Sequence, residues 1–320
     1  MRDLPAGTPA ESHKLVRNFH REGPQRARVT GLSYPGSMMG GMKDWMIDFA
    51  EFAREELPED SAERLIGLLR PAIRLSAAED GESVAGRLGG LPKLPDGMAW
   101  PSLPDEGRPM SFVAELDCGV LARYEVDVAL PVAGTLLFFA TTDARQHQVI
   151  YVPRGTAVAE RPAPDDRVEV YAELPLAAAT EPTWPPRNHP ALVDVFGSLD
   201  EAEDLVWHHV LDEDTGEIFE QQLRLFEDGG RDGPPHQVGG YSDGLHSPIE
   251  AVAAHAAGTG WYGDPAFQEE ACQWVTLLQV AEDTRAGMIW GDGAWLIWGI
   301  RKDHLAARDF SKVHLSVQGH

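Results

Sequence analysis

The chain has 320 residues, of which 43% are hydrophobic and 24% are charged, proportions typical of a soluble globular protein with a sizeable core. Its formal net charge at pH 7 is -24, which disfavours nucleic acid and anionic membranes and suits a basic protein partner or a small polar or cationic ligand. No apolar run approaches the roughly 20 residues of a transmembrane helix, and the N-terminus lacks a signal-peptide pattern, so we expect a cytoplasmic protein.

The composition divides the chain into a tail and one domain. Residues 1–36 carry more Arg and Lys than Asp and Glu and are interrupted by Gly and Pro, so they predict a flexible basic tail with little apolar surface to offset the cost of ordering. The single domain spans residues 37–320. We divide it into a helical lead-in (37–71), a first β unit (72–173), a linker with helices (174–235) and a second β unit (236–320).

The lead-in predicts two helices. From Met42 to Ala53 the apolar residues recur at the spacing of one helical face, which includes Trp45 and Phe49. That face either packs on the body of the protein or forms a dimer surface. The second helix starts near Asp60, ends before Pro71, and has the residue spacing of a capping box.

The first β unit is built around two adjacent glycines, Gly89 and Gly90. Adjacent glycines permit a positive φ or a close approach of another strand, and the nearby Trp100 is a large candidate anchor. Short apolar or alternating runs predict the strands around this element, at residues 72–75, 112–116, 136–139, 148–152 and 168–172.

The second β unit follows a connector rich in Pro and acidic residues. Within the connector, helices are predicted from Ser198 to Val210 and from Ile218 to Phe226. The unit itself predicts a strand over 274–280 and a hairpin of 287–290 with 295–298. A helical turn follows, and then a half-buried strand in which Val313, Leu315 and Val317 face inward.

The two β units show an apparent internal duplication. Gly89-Gly90 aligns with Gly239-Gly240, the strand 112–116 aligns with 276–280, and 134–139 aligns with 293–298. The order and character of these three pairs agree. A chance similarity between apolar strands is the alternative explanation. If the duplication is real, Glu115 and Gln279 are expected to meet near a pseudo-twofold axis.

Seven residues form the candidate ligand-binding set. A His can act as acid, base or ligand near neutral pH, and a neighbouring carboxylate could orient it. The alternative is structural, in which His236 pins its Gly-Gly loop by a hydrogen bond to the backbone and Asp292 caps its own turn. The set comprises Glu115, His236, Gln279, Asp292, Arg301, Trp100 and Trp290.

No motif predicts a metal or a cofactor. The two cysteines, Cys118 and Cys272, are not part of a Cys-x-x-Cys motif and are expected to be buried free thiols. The adjacent His208 and His209 lie on a predicted helix, where neighbouring side chains diverge by about 100° and cannot readily share one ion. We therefore expect no metal and no cofactor.

Several of these segments together resemble the YwqG-like proteins, a bacterial family that carries the domain of unknown function DUF1963. The resemblance covers residues 41–320 and departs from the family pattern at Glu115, where the family has Gln. It implies an α+β fold of two duplicated, antiparallel-rich β units packed together, with N-terminal helices and a helical insert between them, and it implies no established reaction. The matching segments are Gly89-Gly-Leu-Pro-Lys-Leu-Pro95, Trp100-Pro101, Phe112-Val-Ala-Glu-Leu116, His236-Gln-Val-Gly-Gly-Tyr241, Trp290-Gly-Asp292 and the run from Arg301 to Phe310.

Two functional hypotheses follow. The first is a non-enzymatic binding protein, for which the resemblance allows an immunity-type role. The second is a hydrolase-type enzyme with a polar site between the two β units, formed by Glu115, His236 and Asp292. It requires these three side chains to lie within about 3–5 Å of one another.

Overall fold

A computed structural model describes residues 54, 59–103, 106–186, 188–199, 234–242 and 246–319. Four predictions lie outside these residues. They are the basic tail, the amphipathic helix with Trp45 and Phe49, the histidine pair at 208–209, and the helix at 218–226. The helix predicted to start at Ser198 lies almost wholly outside them as well.

Helices and strands both contribute to the described part of the chain, which confirms the mixed α and β content. The helices are α1 (Glu59–Ile66), α2 (Cys118–Leu121), α3 (Pro190–Phe196), α4 (Ile249–Ala256), α5 (Pro265–Ala271) and α6 (Lys302–Ala306), with a 3-10 turn at Phe310–Lys312. The strands are β1 (Arg70–Ala77), β2 (Val84–Leu88), β3 (Lys93–Pro95), β4 (Ser111–Asp117), β5 (Thr135–Ala140), β6 (His147–Val152), β7 (Val158–Glu160), β8 (Leu174–Thr183), β9 (His236–Gly239), β10 (Trp274–Ala281), β11 (Trp295–Arg301) and β12 (His314–Gln318).

Ten of these strands form a single large sheet. Its order is β12-β11-β10-β9-β1-β8-β2-β4-β5-β6, and all neighbours are antiparallel. A separate ribbon is formed by β3 and β7. The strands of the two predicted β units therefore belong to one sheet, with β1 and β8 at its centre.

The sheet curls until its two ends approach each other, so it is nearly barrel-like. At one end, His147 on β6 lies 3.0 Å from the carbonyl oxygen of Val313, just before β12. The ring of Tyr151 lies 5.8 Å from that of Phe310. One continuous apolar core fills the inside and joins side chains from both ends of the sheet, which include Phe138 and Trp298 with their rings 5.3 Å apart.

The outer face of the sheet is covered in two places. Around β4, β5 and β6 a second apolar cluster includes Phe112 and Phe139 and is covered by Leu94 of β3 and by Trp100. Around β10 and β11 the cover is α4, and the Cβ of an alanine at position 299 would lie 2.5 Å from Ile249. Glycine at 299 therefore allows the helix to approach the strand closely.

Two strand predictions in the middle of the chain were wrong. Residues 174–183, predicted as part of the linker, form the central strand β8. Pro182 is tolerated there because β2 pairs only with residues 174–177 of β8. Residue 182 is therefore unpaired on the side of β8 that faces β2, where a missing N–H costs no ladder hydrogen bond. Residues 168–172, predicted as a strand, are irregular, because Tyr171 and Ala172 bond to turns at Gly90 and Ala286 and not to a neighbouring strand.

Near the C-terminus one prediction was wrong and one was right only in part. Residues 287–290 are not a strand, and β11 pairs with β10. In the last strand the inward positions are confirmed for Val313, which is buried, and for Leu315, which packs on the core, but Val317 is 42% exposed whereas Gln318 is 3% exposed. Gln318 is buried because its amide bonds to the carbonyl oxygen of Ser247 (2.6 Å) and to the backbone N–H of His246 (3.0 Å).

Both cysteines are free thiols, but only Cys118 is buried. Burial raises the pKa of Cys118 to about 12. Cys272 is half-buried, and its thiol donates to the carboxylate of Asp194 at 3.2 Å. Among the residues that the structure describes, no helix combines the length and the apolar character needed to cross a bilayer.

Candidate functional site

The first Gly-Gly turn is held by Arg87 on β2. Arg87 Nη1 donates to the carbonyl oxygen of Gly89 at 2.7 Å, and Nη2 donates to that of Leu91 at 2.7 Å. The same guanidinium pairs with Glu115 on β4 at 3.0 Å and with Glu173 at 3.2 Å. The candidate residue Glu115 is thus held in an ion pair that also braces the turn.

Glycine is required at both positions of this turn. The φ angles of Gly89 and Gly90 are +57° and +74°, in the left-handed region that other residues adopt only at a cost. A Cβ at Gly89 would lie 2.3 Å from the carbonyl oxygen of Ala172, and the Gly90 N–H donates to the carbonyl oxygen of Tyr171 at 3.0 Å. The turn therefore docks closely on the segment that precedes β8.

That segment connects the turn to Trp290. Tyr171 is buried, and its hydroxyl oxygen accepts a hydrogen bond from Trp290 Nε1 at 3.2 Å, with the two rings edge to face. The backbone N–H of Ala172 donates to Ala286 at 2.9 Å. Burial raises the pKa of Tyr171 to about 12, so the hydroxyl stays protonated at neutral pH.

The turn that carries Trp290 is fixed by the carboxylate of Glu282. One carboxylate oxygen accepts from the backbone N–H groups of Trp290 and Gly291, both at 2.6 Å, and the other accepts from that of Gly293 at 3.2 Å. Such converging N–H groups form a concave site for an anion. Asp292 lies exposed in the same turn, so Glu282 performs the capping role that the structural alternative assigned to Asp292.

His236 lies buried at the start of β9 and is hydrogen-bonded through both ring nitrogens. Its Nδ1 accepts from the backbone N–H of Ala281 at 3.1 Å, and its Nε2 lies 3.2 Å from Asp283, which also pairs with Arg285. Burial lowers the pKa of His236. Burial opposes the ionisation of Asp283, but hydrogen bonds from His236 and Arg285 outweigh it and hold the pKa of that carboxyl well below its usual range. Both ring nitrogens of His236 are occupied by structural partners.

Two of the candidate residues lie elsewhere. Trp100 Nε1 donates to the carbonyl oxygen of Met110 at 2.8 Å, and its ring packs edge to face on Phe139. Arg301, at the end of β11, pairs with Glu270 and with Asp303. Both side chains hold neighbouring elements together.

The structure brings the candidate residues together in two groups. Contacts through Arg87 and Tyr171 connect Glu115 with the turn of Trp290 and Asp292. Gln279 accompanies His236, since its Nε2 donates to the carbonyl oxygen of Pro235 at 2.9 Å. In sheet order, β9, β1, β8 and β2 separate Gln279 on β10 from Glu115 on β4. In the described part of the chain, Glu115, His236 and Asp292 share no bonded partner.

The first group presents an exposed surface, which we call the Trp290 face. It consists of Val170, Glu173, Ile289 and Trp290. Val170 and Ile289 are 51% and 62% exposed and are next in the chain to the hydrogen-bonded Tyr171 and Trp290, while the Glu173 side chain is 57% exposed. This face offers a partner an apolar contact area, with the carboxylate of Glu173 at its margin.

Sequence reasoning missed three residues that organise this group: Arg87, Tyr171 and Glu282. Arg87 could have been identified from the sequence, because it lies two residues before Gly89, just as Gln237 lies two residues before Gly239. The roles of Tyr171 and Glu282 depend on tertiary contacts, and no local pattern indicates them.

Within the described ranges, no three His, Cys, Asp or Glu side chains form a group that could hold a metal ion. A search of curated proteins found no match to the chain. The family model "Domain of unknown function (DUF1963)" matches residues 86–318, a range that includes both Gly-Gly turns, the Arg87–Glu115 pair and the Trp290 face. The resemblance to that family is confirmed, and the chain belongs to the DUF1963 family.

Proposed function

We propose that the protein is a non-enzymatic binding protein that docks a basic protein partner on the Trp290 face. The observation that carries this proposal is the exposure of Ile289 and Val170, 62% and 51%, each next in the chain to one member of the hydrogen-bonded pair Trp290 and Tyr171. Large branched side chains held this far out of the core are costly to leave in water and contribute binding energy when a partner covers them.

The rigidity of the face supports a binding role. Glu282 fixes the backbone of Trp290, and Tyr171 holds its indole N–H. A surface that is already ordered loses little conformational entropy when a partner binds, so more of the contact energy appears as affinity. Trp is also among the residues that most often dominate binding energy at protein interfaces.

The charge of the face supports a basic partner. Glu169, Glu173 and Asp292 are exposed around the apolar pair, and the whole chain carries a net charge of -24. Opposite charge at the margin of an interface accelerates association and excludes acidic competitors. Arg285, 42% exposed, is engaged by Asp283 and does not offset these carboxylates fully.

The test is a native pull-down followed by a direct binding measurement with the purified partner. The double substitution Val170→Ser and Ile289→Ser should weaken binding at least tenfold, because it removes two of the apolar contacts. The matched control is Val132→Ser, since Val132 is 76% exposed but lies in the loop between α2 and β5. Equal affinity of the double variant and the control for the recovered partner would contradict the proposal.

We also propose that the sheet consists of two copies of one unit. Its order supports this, because β12-β11-β10-β9 on one side of the central pair corresponds to β6-β5-β4-β2 on the other. The hydrogen bonds also correspond. Gln237 donates to the carbonyl oxygens of Gly239 (3.2 Å) and Tyr241 (2.6 Å), as Arg87 does to those of residues 89 and 91.

The registers give further support for the duplication. Each half has an irregularity at corresponding places, between Phe112 and Ala114 in one and between Thr276 and Leu278 in the other. Glu115 lies opposite residue 137, and Gln279 lies opposite residue 297. This shifts the third pair of the sequence alignment by one residue, because that alignment matched residue 137 with residue 296.

A further inference from the structure

An exposed tryptophan, Trp261, lies in the loop between α4 and α5. It is 44% exposed, yet three aromatic rings contact it. The ring centroids of His255, Tyr262 and Phe267 lie 4.5, 5.4 and 5.7 Å from that of Trp261. Phe267 is fully buried, so this cluster anchors the Trp261 side chain to the core although much of it stays exposed.

The loop around Trp261 carries a carboxylate, that of Asp264, three residues after the indole. The Asp264 N–H donates to the carbonyl oxygen of Trp261 at 3.1 Å, and the Asp264 carboxylate accepts from the N–H of Ala266 at 2.9 Å, which caps α5. A Cβ at Gly260 would lie 2.9 Å from that carboxylate, so glycine makes room for it. The His255 ring bonds to the carbonyl oxygen of Gly260 at 2.8 Å and completes a well-bonded loop.

The chain around this loop is acidic over a long stretch. Residues 232–284 contain eight Asp and Glu and no Lys or Arg. Asp264 and Glu269 are exposed, as are the small residues Ala256 and Ala266. Arg301 approaches the far end of α5, where Glu270 and Asp303 engage it. The surface near Trp261 is therefore apolar and negative.

We propose that the Trp261 surface, formed by Trp261, Asp264, Ala256 and Ala266, binds an arginine-rich segment of a partner protein. An arginine guanidinium stacks on the exposed side of the indole while its N–H groups reach the carboxylate of Asp264. Trp is the best aromatic partner for a cation. Arg suits this site better than Lys because its planar guanidinium can stack and donate several hydrogen bonds at once. This surface and the Trp290 face share no residue, so either one can fail without the other.

The test is a calorimetric titration of the full chain with hexa-arginine and, separately, with hexa-lysine. It is done at about 0.15 M salt, where long-range attraction between exposed charges is screened. The affinity for hexa-arginine should exceed that for hexa-lysine by at least about fivefold, the ratio expected if stacking adds to charge attraction. Equal affinities for the two peptides would overturn the proposal, because general attraction to an acidic protein does not distinguish them.

The variants separate stacking from the structural role of Trp261. Trp261→Phe keeps a ring and Trp261→Leu keeps only the apolar cover on Phe267, so Leu should weaken hexa-arginine binding about fivefold relative to Phe. Asp264→Asn keeps an oxygen that caps α5 but removes the charge, and it too should weaken binding. Val132→Ser, in the exposed loop between α2 and β5 and outside both proposed surfaces, should have no effect. Urea unfolding curves establish that each variant is folded, and equal binding by folded Leu and Phe variants would refute the stacking.

Discussion

Replacement of Arg87 by Met should destabilise the protein strongly, because one guanidinium satisfies four acceptors. Its side chain is only 12% exposed. The substitution leaves the carbonyl oxygens of Gly89 and Leu91 without donors and Glu115 without its cation. Hydrogen bonds that involve a charged group contribute about 1.5–3 kcal/mol each, and removal of one partner of a buried ion pair costs about 3–5 kcal/mol. Since Glu115 is 24% exposed and water replaces part of the loss, we expect about 3–4 kcal/mol.

A matched series tests the cause of this loss. Arg87→Gln should retain both backbone bonds, since Gln237 makes the corresponding bonds in the other half of the sheet, and we expect a cost of about 1–2 kcal/mol from the unpaired Glu115. Adding Glu115→Gln should recover most of that cost, which gives a favourable coupling in a double-mutant cycle.

The measurement is equilibrium unfolding in urea, monitored by tryptophan fluorescence and analysed by linear extrapolation. The reasoning is refuted if Arg87→Met costs less than about 1 kcal/mol, or if Arg87→Gln is as damaging as Arg87→Met. The first result would mean that the turn does not depend on the guanidinium. The second would mean that the amide cannot reproduce its backbone bonds.

Three further predictions concern stability. Gly239→Ala should cost at least about 2 kcal/mol more than Gly97→Ala in thermal or urea unfolding, because both glycines have a positive φ but only the former would place a Cβ within 2.3 Å of another side chain; equal losses would contradict this. Burial lowers the pKa of His236 in the folded protein, so the unfolded chain takes up this proton first as the pH falls. The free energy of unfolding should therefore decrease below the unfolded pKa of about 6.5, by up to about 1.4 kcal/mol per pH unit. The free energy of unfolding of the wild type should therefore fall more steeply between pH 6.5 and 5 than that of His236→Gln, and parallel curves would exclude this role. Glu282→Gln should cost about 1–2 kcal/mol through weaker bonds to three N–H groups, whereas the exposed Glu269→Gln should stay within about 0.5 kcal/mol; similar urea midpoints for these two variants would argue against the anion site.

Local patterns predicted the strands whose apolar side chains face one core. The continuous run of β5 and the strand 274–280 were recognisable because nearly all of their side chains are buried. The paired glycines were recognisable because a positive φ at two successive residues restricts the choice of residue. Strand predictions failed where tertiary contacts outweigh local preference, as in β8, where Pro182 lies outside the pairing with β2, and in β12, where a hydrogen-bonded Gln is buried and a Val is exposed.

The candidate site was only partly predictable for a related reason. Glu115 and Trp290 were identified as motif residues, but their connection depends on Tyr171, which lies in a segment that looks like an ordinary alternating strand. One of the two alternatives gave His236 a backbone hydrogen bond that pins its Gly-Gly loop, but the bond reaches Ala281 on β10, and the other partner, Asp283, belongs to a turn more than forty residues away in the chain. Pairings of this kind arise from the sheet order, which residue periodicity does not encode.

The central position of β1 has a consequence for biogenesis. This strand pairs with β8, about one hundred residues later, and with β9, which begins at His236. During synthesis, both strands that pair with β1 are made long after β1 itself. A nascent chain that ends before residue 236 therefore exposes an unpaired edge of β1, to which another strand can add. Truncated products should aggregate, and closure of the whole molecule should be slow relative to proteins with mainly local contacts.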